Sequence, residues 1–418
     1  MRVLERMRAR VPAILKSRLA QQTGVYSLMQ IFSLGFGFLS NVFLAKEMGA
    51  ERFGIYSFAV AVMAFVSIFF EFGLFSTASK ILADNLDKEK ERQWLGVFGI
   101  LFLAISALMS GFIFLIGLFI DDFFADKIGG LLRIVSLLSF MYLLPNFMEL
   151  VLQGINKIHL LSGYNVIQKT IFFVGILCLW MWDALSPLYL FYALGIASIL
   201  SFGWTYLSLH PKLDDFWKNL SHCMKYNAGY GWYIYWGRIA DTGAGNLDKI
   251  LVPYFTDART MGFYSLATAF ATPVQTIATS VRMATFRDFA SSGKIPQKLI
   301  RLVFFATIAS IGIVLLMGYL VLCVYLPSDY RSAFFYLGIL AIAIGLQSMY
   351  QLYNSYLAAA GYATTMRVVA WKTACLDVVT NSTLIPLLGA YGACIATFLE
   401  KGFFYFAVYR AYRKKVIC

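Results

Sequence analysis

Apolar runs of about twenty residues or more follow one another along nearly the whole chain, separated by short polar connections. They fall at 23–45, 54–78, 94–120, 131–155, 163–182, 187–209, 229–254, 262–285, 301–326, 333–359, 366–386 and 389–410. A helix needs ~20 residues to cross the hydrocarbon of a bilayer, so the pattern predicts twelve membrane-spanning helices. Runs such as ILFLAISALMSGFIFLIGLFI (100–120) lack the two-residue alternation of a membrane β-barrel strand. The first run is longer than a signal-peptide core and has no small-residue cleavage site, so it reads as an uncleaved first span.

The connections alternate in character. The N-terminal arm, 80–93, 210–225, 287–298 and the tail with Arg410, Arg413, Lys414 and Lys415 are basic. The intervening set (46–53, 121–130, 183–186, 255–261, 327–332 and 387–388) is short and poor in Lys and Arg. Positive charge marks the cytoplasmic side, so both termini are expected there. The longest hydrophilic linker, 210–228, divides the chain into an N-terminal lobe, 1–209, and a C-terminal lobe, 229–418, of six spans each.

The two halves echo each other. GIYSFAVAV at 54–62 returns as GFYSLATAF at 262–270, an offset of 208 in 418 residues, and both copies open the second span of their half. QGINK at 153–157 and AGYAT at 360–364 both follow a fourth span, at an offset of 207. Six spans is an even number, so the repeats are parallel and related by an axis along the membrane normal. The expected architecture is an all-α polytopic membrane protein with two six-helix lobes in a V around a central cavity, worked by rocking of one lobe against the other. Tyr56 and Tyr264 are expected at the membrane interface as helix anchors.

Polar residues inside spans place the chemistry. On the eighth span Ser265, Thr268, Thr272, Gln275, Thr279 and Arg282 recur at steps of three and four, a single helix face. The seventh span carries Arg238, Asp241, Gly245, Asp248 and Lys249 within roughly a third of the circumference at ~100° per residue. Ionisable groups in a span are costly and mark function by default, although Ser and Thr also serve plain helix-to-helix bonding, and Arg238–Asp241 and Asp248–Lys249 could merely neutralise one another. At the 208 offset, Arg238, Asp241, Asp248 and Lys249 fall on Gln30, Ser33, Ser40 and Asn41, while Ser265, Gln275 and Thr279 fall on Ser57, Ser67 and Glu71. Spans one, two, seven and eight are therefore expected to face one cavity. Asn146, Glu149, Gln153, Lys169, Gln347, Gln351, Asn354, Lys372, Asp377, Asn381, Glu400 and Lys401 are further polar residues within spans, read first as packing groups.

Composition agrees with this pattern: 60% of residues are hydrophobic, 14% are charged, and mean hydropathy is +0.70. The net charge of +13 sits between spans and at the ends, which is membrane topology with a contribution from anionic lipid and not a nucleic-acid surface. Six scattered cysteines, and His159, His210 and His222 standing apart, form no metal motif. Cations lining a cavity suit an anion, because the forked donors of arginine match phosphate. Neutral amides and hydroxyls suit sugars. The aromatic cluster YGWYIYWG (230–237) could stack on sugar rings, though Trp and Tyr also form interfacial belts.

FLAKEMGAERFGIYSFAVAV followed by EFGLFSTASKILA resembles the first-to-second-span signature of polysaccharide (O-antigen type) flippases. NLDKILVPYFTDARTMGFYSLATAF is similar to their seventh-to-eighth-span signature, and LIPLLGAYGACIATFLEKG resembles the pattern of their last two spans. The resemblance runs from about 20 to 410 and extends to a superfamily with multidrug antiporters and peptidoglycan-precursor flippases. It implies a bacterial inner-membrane transporter that moves undecaprenyl-diphosphate-linked oligosaccharide from the cytoplasmic to the periplasmic leaflet. It also implies a cationic cavity, mapped here onto Arg238, Lys249 and Arg282. No cofactor is expected; a proton or sodium ion could couple through Asp241, Asp248 or Glu71. Expected partners are the lipid-linked oligosaccharide, membrane lipid and other proteins of polysaccharide assembly, with no nucleic acid. An organic-cation antiporter would favour an acidic cavity. A glycan polymerase or glycosyltransferase would need a larger periplasmic loop than DDFFADKIGG (121–130), and the chain carries no P-loop or Gly-x-Ser-x-Gly motif.

Overall fold

The computed structural model describes residues 18–84, 87–289 and 294–417, which form α-helices, short 3₁₀ or π turns and connecting loops, with no strand among them. In order the helices are α1 (Arg18–Phe69), α2 (Leu74–Asp84), α3 (Lys88–Phe119), α4 (Gly129–Val135), α5 (Phe140–Gly154), α6 (Ile158–Met181), α7 (Pro187–Leu207) and α8 (Phe216–Gly229). The second half holds α9 (Gly231–Arg238), α10 (Asp248–Phe255), α11 (Ala258–Ala271), α12 (Thr276–Phe289), α13 (Gln297–Gly318), α14 (Arg331–Ala359), α15 (Ala363–Leu388) and α16 (Ala390–Tyr412).

Among the described residues seven helical stretches are long and apolar enough to cross a membrane. The first, Phe32–Phe69, holds the first predicted span and the second as far as Phe69, joined at a kink where Gly49 takes φ 76°; the second predicted span, 54–78, breaks after Phe69 and resumes in α2. Predicted spans three to six, nine and ten supply the others. The seventh and eighth are not continuous helices. The seventh is α9 and α10 with a π turn, Ile239–Gly243, and a non-helical link between them, and the eighth is α11 and α12 joined by a 3₁₀ turn at Pro273. The eleventh and twelfth, α15 and α16, are long enough but carry Arg367, Lys372 and Asp377 on one and Glu400 and Lys401 on the other.

Exposure of large apolar side chains fits a lipid solvent. Leu103, Leu108 and Leu115 on α3, and Phe305, Ile313 and Leu316 on α13, are exposed on helices whose apolar windows are only 28% and 17% buried. Inside, α1 packs against α6 and α11, α2 against α5, and α14 and α15 both against α16. One apolar core runs through both halves from Val42 to Cys394, and a second, smaller one joins α12, α14, α15 and α16 around Tyr353, Tyr356 and Tyr412.

The halves meet where the sequence repeats. A β-carbon on Gly54 would lie 1.7 Å from the Ala258 carbonyl oxygen, and one on Gly262 would lie 2.8 Å from that of Ala50. These glycines let α1 and α11 cross backbone to backbone. Around that crossing, Tyr330 donates to the Ala45 carbonyl at 2.6 Å, Lys46 donates to the Tyr325 hydroxyl at 3.0 Å, and the Ala258 N–H donates to the Asp126 carboxylate. The tyrosines of the repeat are not interfacial anchors. Tyr56 is buried against Phe191, and Tyr264 is buried with its hydroxyl donating to Asp248. Each follows its glycine by two residues on a helix pressed into its neighbours, so its ring is drawn into the core.

Candidate functional site

The sequence FFEFG ends the long helix α1 with a break at Phe70–Gly73, where Phe72 and Gly73 take φ 47° and 74°. A β-carbon at Gly73 would collide with the Gly231 carbonyl, so a glycine is needed both for the left-handed turn and for the close approach of α9. Breaking a helix within a membrane frees backbone carbonyls, which must find donors inside the protein. The linker helix and the C-terminal half provide them: Asn227 of α8 donates to Phe72 O at 3.0 Å while accepting from Thr77 at 2.8 Å, and Tyr235 of α9 donates to Phe69 O at 2.7 Å.

This break holds Glu71, only 9% exposed. Arg238, the last residue of α9, places Nη1 2.8 Å from the Glu71 carboxylate and donates from Nη2 to the Asn146 side-chain oxygen at 2.9 Å. Asn146, on α5, donates in turn to Glu71. The three side chains close a ring of hydrogen bonds across three elements and both halves. The amide is placed so that its oxygen faces the cation and its NH₂ the anion.

Arg238 also borders a cavity of about 390 Å³ whose lining includes Arg367, Asn354, Trp371, Ile234 and Phe404. Its walls are mainly apolar, with two arginines and one amide as the polar groups. Arg367 and Trp371 project together because they are four residues apart on α15. The cavity lies near the start of α15, toward the helix ends opposite the Gly54–Gly262 crossing.

The remaining predicted residues separate. Because the seventh span is broken, Arg238, Asp248 and Lys249 do not form one stripe. Asp248 opens α10, is buried, accepts from Tyr264 through Oδ2 and has no hydrogen-bond partner at Oδ1. Lys249 donates to Asn246 at 2.7 Å, not to Asp248, and is not among the cavity-lining residues. On the eighth span, Thr268 and Thr272 bond to carbonyls of their own helix, while Gln275 and Thr279 both contact Gln351 of α14, at 3.2 and 3.1 Å. That stripe therefore packs against α14. Arg282 is half-buried, its Nε lacks a partner, and it lies outside the cavity lining. Asn41 is half-buried on α1, near Ser40, whose hydroxyl bonds back to Phe36 O at 2.8 Å. The side chains of Gln30 and Asp241 lie outside the described residues.

Two further carboxylates are buried in the C-terminal half. Asp377 accepts from Asn381 at 2.8 Å, and Glu400 pairs with Lys401 at 2.7 Å. Among the described residues no three His, Cys, Asp or Glu side chains converge as a metal centre. Arg367 went unrecognised in the sequence because it stands in the first turns of the eleventh span, where a cation reads as topology; the signal was its four-residue spacing to Trp371. Of the aromatic cluster 230–237, Tyr233 is 74% exposed and Trp236 51%, and neither lines the cavity.

Residues 19–286 match the family model described as polysaccharide biosynthesis protein. None of the curated proteins matches the chain in sequence. Among solved structures, the chain is similar to the lipid II flippase MurJ in an inward closed conformation, with TM-score 0.74, 15% identity, and 93% of this chain and 87% of that one covered. It is also similar to the MATE multidrug transporter DinF-BH in complex with R6G, with TM-score 0.70, 11% identity and 95% of each chain covered. A multidrug resistance MATE family transporter of the MOP superfamily, in an inward-facing conformation, gives TM-score 0.66 at 14% identity, covering 98% of this chain and 97% of that one.

Proposed function

Because this chain belongs to the polysaccharide biosynthesis protein family, we propose that it is a flippase for undecaprenyl-diphosphate-linked oligosaccharide, the O-antigen repeat unit or a related surface glycan. It would act in the bacterial inner membrane, with both termini cytoplasmic, moving the head group to the periplasmic leaflet by alternating access of lobes 1–209 and 229–418 joined by the linker 210–228. The observation that carries the reading is the pair of arginines, Arg238 and Arg367, on one largely apolar cavity. A diphosphate needs cationic forked donors, and Asn354 and Trp371 offer an amide and a ring to the first sugars. The isoprenoid tail stays in lipid throughout.

The ring of Glu71, Asn146 and Arg238 supplies the coupling between binding and movement. Arg238 is held by groups of the other half, so a diphosphate that binds it competes with Glu71 and loosens a link between the halves. The halves pack tightly at the Gly54–Gly262 end, and the cavity lies toward the opposite end, the one the basic connections assign to the cytoplasm, which suits loading from the cytoplasmic leaflet. Asp248 is the carboxylate through which a proton or sodium ion would couple, since its Oδ1 is buried without a donor. The same buried acids, Asp248, Asp377 and Glu400, give organic-cation antiport its support as a second reading. The test is deletion of the gene followed by extraction of the lipids. Diphosphate-linked oligosaccharide accumulating on the cytoplasmic side is the expected result. Normal glycan export combined with increased sensitivity to cationic drugs selects the antiporter.

A further inference from the structure

A second groove lies between α15 and α16 at the membrane face that carries the C-terminus, and it shares no lining residue with the Arg238 cavity. We propose that it binds an anionic phospholipid of the bilayer leaflet on that side. The groove holds about 520 Å³ and is lined by four cations, Lys372, Arg410, Lys414 and Lys415. Val368, Phe403 and Phe406 form its apolar wall and are 54%, 39% and 62% exposed.

The arrangement has a depth order. Arg410 lies in the last turn of α16 and Lys414 and Lys415 in the π turn after it, at the end of the twelfth predicted span, where basic residues meet headgroups. Lys372 lies nine residues beyond the start of α15 at Ala363, ~14 Å along the helix at 1.5 Å per residue. An ammonium at that level reaches back along its own stem toward the surface, so the four charges converge at the lipid headgroup region while the wall below them is hydrocarbon. None of the four belongs to an ion pair among the described residues. A phosphate with acyl chains attached uses both parts of the site. A free phosphate leaves the apolar wall in water, and a nucleic acid does the same. The bilayer phospholipid is favoured over the transported lipid because residues 365, 368, 369 and 372 face the groove, whereas 366, 367, 370 and 371 face the Arg238 cavity on another side of the same helix.

Native mass spectrometry of the full chain in detergent, titrated with phosphatidylglycerol, phosphatidylethanolamine, undecaprenyl diphosphate or inorganic phosphate, tests the proposal. The quadruple variant K372Q/R410Q/K414Q/K415Q and the groove-filling A407W each lower phosphatidylglycerol affinity at least tenfold. R413Q, an exposed neighbour outside the groove, leaves it within twofold, as does phosphatidylethanolamine binding in every variant. The two groove variants act by different means, so misfolding of one, read from its elution and thermal unfolding, leaves the other to decide. Phosphatidylglycerol binding unchanged in a folded groove variant overturns the site. Displacement of phosphatidylglycerol by inorganic phosphate, or by a lower concentration of undecaprenyl diphosphate, overturns the assignment to a bilayer phospholipid.

Discussion

Arg238 lies 2.8 Å from Glu71, an ion pair between residues 167 positions apart that ties the last turn of α9 to the break after α1. The pair is not isolated, because Asn146 bonds to both members. Replacing either charge strands the other beside a buried amide. Single variants E71Q and R238Q are therefore expected to lose about 1–3 kcal/mol of stability each, and E71Q/R238Q less than their sum. A double-mutant cycle by thermal or chemical unfolding measures the coupling, and strict additivity contradicts the ring. In transport the singles differ: E71Q keeps the cation and retains partial export, while R238Q loses at least tenfold.

Gly54 and Gly262 let the two copies of the repeat cross. G54A drives a methyl group into the Ala258 carbonyl, whereas G262A meets less severe contacts. The halves are expected to separate at this end in G54A. A spin-label distance between positions 46 and 325, which are in contact at 3.0 Å through Lys46 and Tyr325, reads the separation. It lengthens in G54A by several ångströms and changes less in G262A; equal distances in both variants and wild type rule out the crossing as the closed end.

Much of the fold was legible in the sequence, and the failures have separate physical causes. The all-helical membrane fold follows from apolar run length, and the sequence also singled out Arg238 and Glu71, which the fold brings into contact. What misled was treating spans seven and eight as continuous helices. The face on which Arg238, Asp248 and Lys249 were grouped needs unbroken 3.6-residue periodicity, and the π turn at Ile239–Gly243 destroys it. Arg238 then turns to the N-terminal half and Asp248 to Tyr264. The Thr268–Thr272 stripe misled differently: hydroxyls bonded to their own helix need no cavity. Arg367 was hidden because a cation near the start of a span looks like topology until the fold places it on the same cavity as Arg238.

Asp126, in the loop between α3 and α4, accepts the Ala258 N–H at the closed end. Burial raises its pKa above the usual carboxylate value; the Ala258 bond opposes this, and Asp257 and Glu51 add to it. Opening of this end that returns Asp126 to water brings its pKa back toward the usual carboxylate value, so the closed form binds more protons, and closure strengthens as pH falls through the raised pKa and weakens above it. The 46–325 distance distribution is expected to shift toward the short component on mild acidification. D126N removes that dependence; an unchanged pH response in D126N assigns it elsewhere.

Asp248 has a buried oxygen with no donor, so it is the carboxylate expected to respond to the coupling cation. D248N is expected to keep the fold, since Tyr264 still has an acceptor, and to make transport insensitive to a proton or sodium gradient. Initial rates in vesicles with and without each gradient give the answer, and a gradient response equal to wild type removes Asp248 from the coupling.

The most direct measurement is flipping itself. Purified protein in liposomes with a fluorescent undecaprenyl-diphosphate-linked oligosaccharide, quenched from outside by dithionite, reports the fraction of head groups that change leaflet. The wild type is expected to raise that fraction well above protein-free vesicles, and R238A/R367A, which removes both cavity arginines, to return it to that baseline with normal folding. A wild type that moves no such lipid, or a folded double variant that moves it at the wild-type rate, contradicts the account.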